Sequence, residues 1–419
     1  VGTLALGQAP PTGDPVPKIG TPGGETPKDK EKPAAEAIKA PENPILREAL
    51  DYFKSNNVEK CLAKLREATE KDKDLQPPEI IFASWLVQAR NGSDARKVLE
   101  QFIARNVDHP DGYLLNASFA FGEGRITDAI YSCLTALNYS KSAKWNTSQQ
   151  KRFDREARLG LVACLEARGD LNSMVEHLQA LVNADDKNAS LRYRLAALKF
   201  NLGLIEAAKS ELQEAFKIDP LSDPPELRLG VLWASKPATD LGLGKDPTPE
   251  QVAAAVKKKI EENRKEAEKM LTEAVTKYRD NARAPRGLAS FFLEEGKLKE
   301  ASDMIDQAQA IDKKDPKLQD KGGEARETSA LRALYHRYKA ASAATAADAK
   351  AEYTAAVPLF EKLWSSNPSD PFAIGNYAIC LIEKGDPADK EKAISLASNL
   401  VKSNEKSPEA YAVLGWVLF

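Results

Sequence analysis

Between Pro110 and Ala136 the chain reads PDGYLLNASFAFGEGRITDAIYSCLTA. The aromatic Tyr113 is followed one turn later by the small Ala117, Gly124 interrupts the helical pattern, and a second apolar stretch carries Ala129, Cys133 and Ala136. Small residues at helical spacing on both sides of a glycine turn let two antiparallel helices approach closely, while the large residues fill the space between them. This stretch therefore predicts a helix-turn-helix hairpin.

The pattern recurs along the chain. A first hairpin pairs Ile45–Ser55 with Val58–Lys71, in which Cys61, Leu65 and Ala68 face inward; a second uses Phe82, Ala83 and Leu86, then Ala95, Leu99 and Phe102. The quoted stretch is the third. The fourth places Leu161 and Leu165 before Gly169, then Met174, Leu178 and Leu181, and the fifth has Leu195 and Ala196 before Gly203, then Ala208, Leu212 and Ala215. Later units tolerate insertions: a sixth hairpin around Ala267, a seventh through Leu288, Ala289, Phe292, Ala301, Ile305 and Ala308, a loose eighth with Ala356, Phe360 and Leu363, and a ninth with Tyr377, Ala378, Leu381, Ala393 and Leu400. Insertions are expected near 138–150, 234–248 and 312–323. Aromatics make up only 7% of the chain, and no run of alternating β-branched residues reads as strand, so the fold is expected to be all-α. A chain of 419 residues suits one long solenoid in which each unit packs on its neighbours.

These hairpins, in register from about residue 44 to 419, resemble tetratricopeptide repeats (TPRs), whose period is about 34 residues. The resemblance implies a right-handed superhelical solenoid whose first helices line a concave groove that takes an extended peptide or a helix of a partner protein. By the same resemblance the groove positions are Ser84 and Gln88, Ser118 and Phe121, Tyr193 and Asn201, Arg286 and Ser290, and Ile379 and Glu383, with Tyr193, Phe200 and Arg286 as anchors. One subfamily grips the C-terminal carboxylate of chaperones with a lysine and an asparagine one turn apart. The corresponding pairs here, Leu114/Ser118, Leu159/Ala163, Tyr193/Ala197 and Arg286/Ser290, contain no Lys–Asn pair, which argues against a chaperone-tail adaptor.

The two ends carry different expectations. Residues 1–9, VGTLALGQA, read as the end of a secretory signal, which points to a bacterial exported protein of the periplasm or cell envelope, with a cytoplasmic location as the alternative. Residues 10–43 are dense in proline, glycine and lysine and predict a disordered, extended tether. The final residues, SPEAYAVLGWVLF, read as a first helix with Tyr411, Leu414, Gly415 and Leu418 in the family positions. Its apolar face suggests either self-association through end repeats, or a non-catalytic arm of a larger enzyme or cell-envelope assembly whose active part lies beyond residue 419.

Little in the chain points to chemistry. Lys and Arg (60) nearly balance Asp and Glu (62), for a formal charge of −2, so no global field draws the protein to nucleic acid or an anionic membrane. The basic-looking run Lys257–Lys277 has acids interleaved at helical spacing and reads as a solvated face. Cys61, Cys133, Cys164 and Cys380 are too scattered for a metal or redox motif and are expected as buried free thiols. His109, His177 and His336 have no second ligand within helical reach. No phosphate loop or nucleophile elbow occurs, and no stretch is long enough to span a bilayer. The expectation is a non-catalytic protein-binding scaffold with no cofactor and no metal. Trp85, Trp233 and Trp416 are expected in the core, while Trp145 sits in the insert, exposed or folded back.

Overall fold

The computed structural model describes residues 38–239, 241–243, 247–319 and 325–419. The expected signal segment 1–9 and residues 10–37 of the expected tether lie outside the described residues, as do parts of the inserts at 234–248 and 312–323. The described residues form twenty helices and no strand, so the fold is all-α. They fall into two compact units, 38–204 and 205–419.

The first unit contains α1 (Pro44–Lys54), α2 (Val58–Lys71), α3 (Pro78–Gln88), α4 (Gly92–Arg105), α5 (Pro110–Gly122), α6 (Ile126–Tyr139), α7 (Thr147–Arg168), α8 (Leu171–Ala184) and α9 (Ala189–Asn201). Helices pair as hairpins, α1 on α2, α3 on α4, α5 on α6 and α7 on α8. Each second helix also packs on the next first helix, and α3, α5 and α7 pack side by side. The main helix contacts therefore reach the next one or two helices along the chain, which is the mark of a repeat stack.

The second unit contains α10 (Ile205–Ile218), α11 (Pro225–Ala234), α12 (Pro249–Lys277), α13 (Arg283–Glu294), α14 (Leu298–Asp312), the short α15 (Pro316–Gln319), α16 (Arg326–Ala341), α17 (Ala346–Ser366), α18 (Pro371–Lys384), α19 (Pro387–Ser403) and α20 (Pro408–Leu418). Its hairpins are α11/α12, α13/α14, α16/α17 and α18/α19, and α13 touches both α11 and α16.

Local chemistry starts and stops these helices. Pro occupies the first helical position of α1, α5, α18 and α20, where a missing N–H costs nothing. The side chains of Asn43, Asp370 and Ser407 accept free backbone N–H groups at the starts of α1, α18 and α20. Gly124 and Gly169 end α5 and α7 in the left-handed region, at φ 75°. In the first two hairpins the same conformation falls on Asn56 (φ 57°) and Arg90 (φ 59°), so those turns carry no glycine signal in the sequence.

Alanines form the seams. Ala49, Ala68, Ala83, Ala95, Ala129, Ala136 and Ala157 in the first unit, and Ala267, Ala289, Ala301, Ala333, Ala356, Ala378 and Ala393 in the second, are wholly buried. The absence of a larger side chain there brings helix backbones close enough for Leu65, Leu161, Ile305 and Phe360 to fill the gaps.

The structure departs from the sequence reading in some places and follows it in others. Ile38, assigned to the tether, is buried among Leu50, Leu65 and Phe82. The residues of the first insert fold back: Trp145 is half-buried, donates Nε1–H to the Tyr139 carbonyl at 3.0 Å, and packs edge-on against His109 and Phe153. The insert expected at 234–248 lies between α11 and α12, its described residues after Ala234 non-helical, and α12 itself is also long, at 29 residues. Along its charged stretch Arg264 pairs with Glu294 and Glu295, and Lys269 with Glu266. On α20 the buried stripe is Ala410, Val413 and Val417. Trp416, expected in the core, lies off that stripe and is 61% exposed, as are Tyr411 and Leu418 in large part.

Candidate functional site

The residues singled out by the resemblance all lie on first helices, and their environments differ sharply. On α3 and α5, which pack side by side, Gln88 and Ser118 are exposed while Ser84 and Phe121 are half-buried. Ser118 donates its hydroxyl to the Leu114 carbonyl at 3.2 Å, and Phe121 leans on the cluster of Ala120, Ala129 and Cys164. On α9, Asn201 is exposed and Tyr193 half-buried. Phe200, however, is 0% exposed. Its ring fills the interior and has no surface left to offer a partner.

The second unit uses its singled-out side chains largely for itself. Arg286 on α13 bonds Asp312 at the end of α14 through Nη2 and donates Nε–H to Thr328 Oγ1 on α16 at 2.8 Å. Asp312 is 2% exposed and also accepts the Thr328 hydroxyl at 2.5 Å and the Ala325 N–H at 3.2 Å. This network ties α13, α14 and α16 together, so Arg286 is a structural pin. Glu383 is exposed but accepts the Trp416 Nε1–H at 2.7 Å, holding α20 against α18. Ile379 is buried and Ser290 half-buried.

A second network, in the first unit, was not visible in the sequence. Asp111, on the first turn of α5, has a fully buried side chain. It receives the Arg152 guanidinium in a two-pronged contact, Nη1 to Oδ1 at 2.8 Å and Nη2 to Oδ2 at 2.9 Å. Gln76 reaches the same carboxylate at 3.4 Å. Arg152 comes from the early turns of α7, beside the first insert, whose Asn146 and Gln149 bond Asp74 Oδ1 at 3.2 Å and the Lys73 carbonyl at 2.7 Å. His109 caps α5 by accepting the Asp111 N–H on Nδ1, and burial pushes its pKa down. Burial also holds the neighbouring Glu156 above the usual carboxylate range. The only hint in the sequence was the insert itself.

The four cysteines are free and buried. Among the described residues no three His, Cys, Asp or Glu side chains are grouped to hold a metal ion, and no helix is long and apolar enough to cross a membrane.

The tetratricopeptide repeat family matches the chain twice, at residues 82–144 and at residues 260–321. The first match lies on α3 to α6 and the second runs from α12 through α15. No curated protein sequence matches the chain. Among solved structures, a tetratricopeptide repeat protein from Parabacteroides merdae is 12% identical, with 74% of this chain and 99% of that one covered at a TM-score of 0.38. The C-terminal part of a TPR repeat-containing protein from Cytophaga hutchinsonii is also 12% identical, covering 71% and 98% at 0.38. YrrB, described as a TPR protein with an unusual peptide-binding site, is 14% identical, covering 57% and 97% at 0.30. Scores and identities this low carry no argument about function. The two family matches, together with helical hairpins stacked on their neighbours, establish that this chain contains tetratricopeptide repeats.

Proposed function

We propose that this protein is a non-catalytic scaffold that binds a segment of another protein, an extended peptide or a helix, across the first helices of its stack. The supporting observation is the α3–α5 face, where exposed Gln88 and Ser118 flank half-buried Ser84 and Phe121 within one of the matched repeat stretches. A half-buried aromatic with a polar rim is the composition that binding surfaces favour. The Asp111–Arg152 contact braces α5 against α7, so little ordering would be left to do on binding.

The test is capture from an extract of the source organism with three proteins: the parent, a Gln88→Arg/Ser118→Arg/Phe121→Ala variant, and a control with Glu100→Arg on the exposed side of α4. A partner held by the parent and the control should be retained at least about tenfold less by the triple variant, the scale of one lost anchor. Equal recovery by all three would refute the site. Export is part of the proposal on the strength of residues 1–9 alone, and cell fractionation with and without those residues decides it.

A further inference from the structure

The half-buried arginines of the second unit are matched by acids, with one exception. Arg228 pairs with Asp223, Arg264 with Glu294 and Glu295, Arg286 with Asp312, and Arg332 with Asp306. Arg337, in the last turns of α16, is also half-buried but has no carboxylate within ion-pair distance among the described residues. Its acceptor there is a neutral amide: Nη1–H donates to Asn376 Oδ1 on α18 at 2.6 Å. Asn376 is 5% exposed and is itself fixed by donating Nδ2–H to the Phe372 carbonyl at 2.8 Å. The guanidinium is thus oriented by a buried amide that does not neutralise it. Its Nε and Nη2 have no protein acceptor among the described residues, and neither is shut off from solvent. A guanidinium partly removed from water is held at a cost that a carboxylate in a two-pronged contact offsets. Seven residues on from Asn376, about 10 Å along α18, Glu383 accepts the Trp416 Nε1–H at 2.7 Å. That carboxylate is engaged by α20 and forms no ion pair with Arg337. The Trp416 ring beside it is 61% exposed.

We propose that Arg337 anchors a side-chain carboxylate of another protein, and that the segment lying on α16, α18 and α20 is an extended one that carries an acid and a bulky apolar residue. The Asp or Glu accepts Nε–H and Nη2–H of Arg337 as a forked contact, while Nη1 stays on Asn376. The apolar side chain covers the exposed Trp416 ring, whose polar edge is already satisfied by Glu383. Three residues of an extended chain span about 10 Å, so the two anchoring residues of the partner stand about three positions apart. The inference rests on the reading that this protein holds a segment of another protein, but it assigns the contact to helices other than α3 and α5.

The experiment selects peptides from a random linear phage library on the native protein, then compares Arg337→Met, Arg337→Lys, Trp416→Ala and the Gln88→Arg/Ser118→Arg/Phe121→Ala variant, each first checked for unchanged helix content. The parent should enrich peptides with an acid and a bulky apolar residue about three positions apart. One such peptide is then made with its acid and with the matching amide. The parent should bind the acidic form at least about tenfold more tightly, whereas Arg337→Met should bind both forms alike, a coupling that a purely structural role for Arg337 does not produce. Arg337→Lys keeps the charge and a donor for Asn376 but not the fork, and should fall between. Trp416→Ala should lose the apolar preference and keep the acidic one. Enrichment without an acid, or an acid preference that survives Arg337→Met, overturns the inference. An acid preference lost only in the α3–α5 variant overturns it while leaving the α3–α5 surface as the binding site. Absence of any enriched peptide on the parent overturns both.

Discussion

Replacing Arg152 by methionine tests how much one contact holds the third and fourth hairpins together. Methionine keeps the packing of the stem over Phe153, where the guanidinium lies 4.4 Å from the ring centroid, but removes the charge. It leaves the Asp111 carboxylate, fully buried, with Gln76 at 3.4 Å as its remaining side-chain donor. Breaking a buried ion pair from one side costs about 3–5 kcal/mol. The Arg152 side chain retains 23% exposure, so water reaches the vacated position and the expected loss is about 3 kcal/mol, at the lower end of that range. The double variant Asp111→Leu/Arg152→Met removes both charges and should cost at least about 2 kcal/mol less than the sum of the two single changes. Urea unfolding gives the totals, and amide exchange on peptides from α5 and α7 localises them. A single-variant cost under about 1 kcal/mol, or a double variant equal to the sum, would show that the pair contributes no coupling and that packing alone joins these helices.

Further outcomes follow from the same structure. Burial depresses the pKa of His109, with Asp111 and Asp108 raising it and Lys144 and Arg152 lowering it. Its contribution to stability is therefore present above the unfolded value of about 6.5 and lost as pH falls through the depressed folded value. His109→Asn, which can still cap α5, should lower stability at pH 7.5 yet narrow the drop between pH 7.5 and 5.5; buried His177, also shifted down by burial, supplies the residual slope. An unchanged pH profile would remove His109 from the account. Gly230→Ala should destabilise by about 1–3 kcal/mol, because its Cβ would meet Leu271 Cγ at 2.6 Å and the Ala267 carbonyl at 3.2 Å. Gly415→Ala, with nothing within 4 Å, should instead stabilise α20 by about 0.5–1 kcal/mol; thermal unfolding of both variants, moving in the same direction, would contradict the close-approach argument. Tyr377→Phe should cost about 1–2 kcal/mol in urea unfolding, since the buried hydroxyl bonds Glu361 and Lys392 at 2.7 Å each.

The helical character and the seams were legible in the amino-acid order because they depend on local spacing. Ala129, Cys133 and Ala136 recur at helical intervals, and a small residue on such a stripe has one economical use, close helix contact. Gly124 and Gly169 marked turns for the same local reason, whereas Asn56 and Arg90 adopt the left-handed turn without announcing it. The partner-facing surface was legible only to the level of which helices carry it. Spacing places a residue on a face, but whether Phe200 ends up wholly buried, or Arg286 is taken up by Asp312, depends on side chains contributed by other helices. The pairing of Asp111 with Arg152 joins residues on neighbouring repeats whose separation in sequence follows no motif. It exists because stacking puts the start of α5 against the early turns of α7. Helix positions and core seams thus follow from the periodicity of the chain alone. Which polar groups meet across the stack, and which surfaces remain open, only the packing of one hairpin on the next decides.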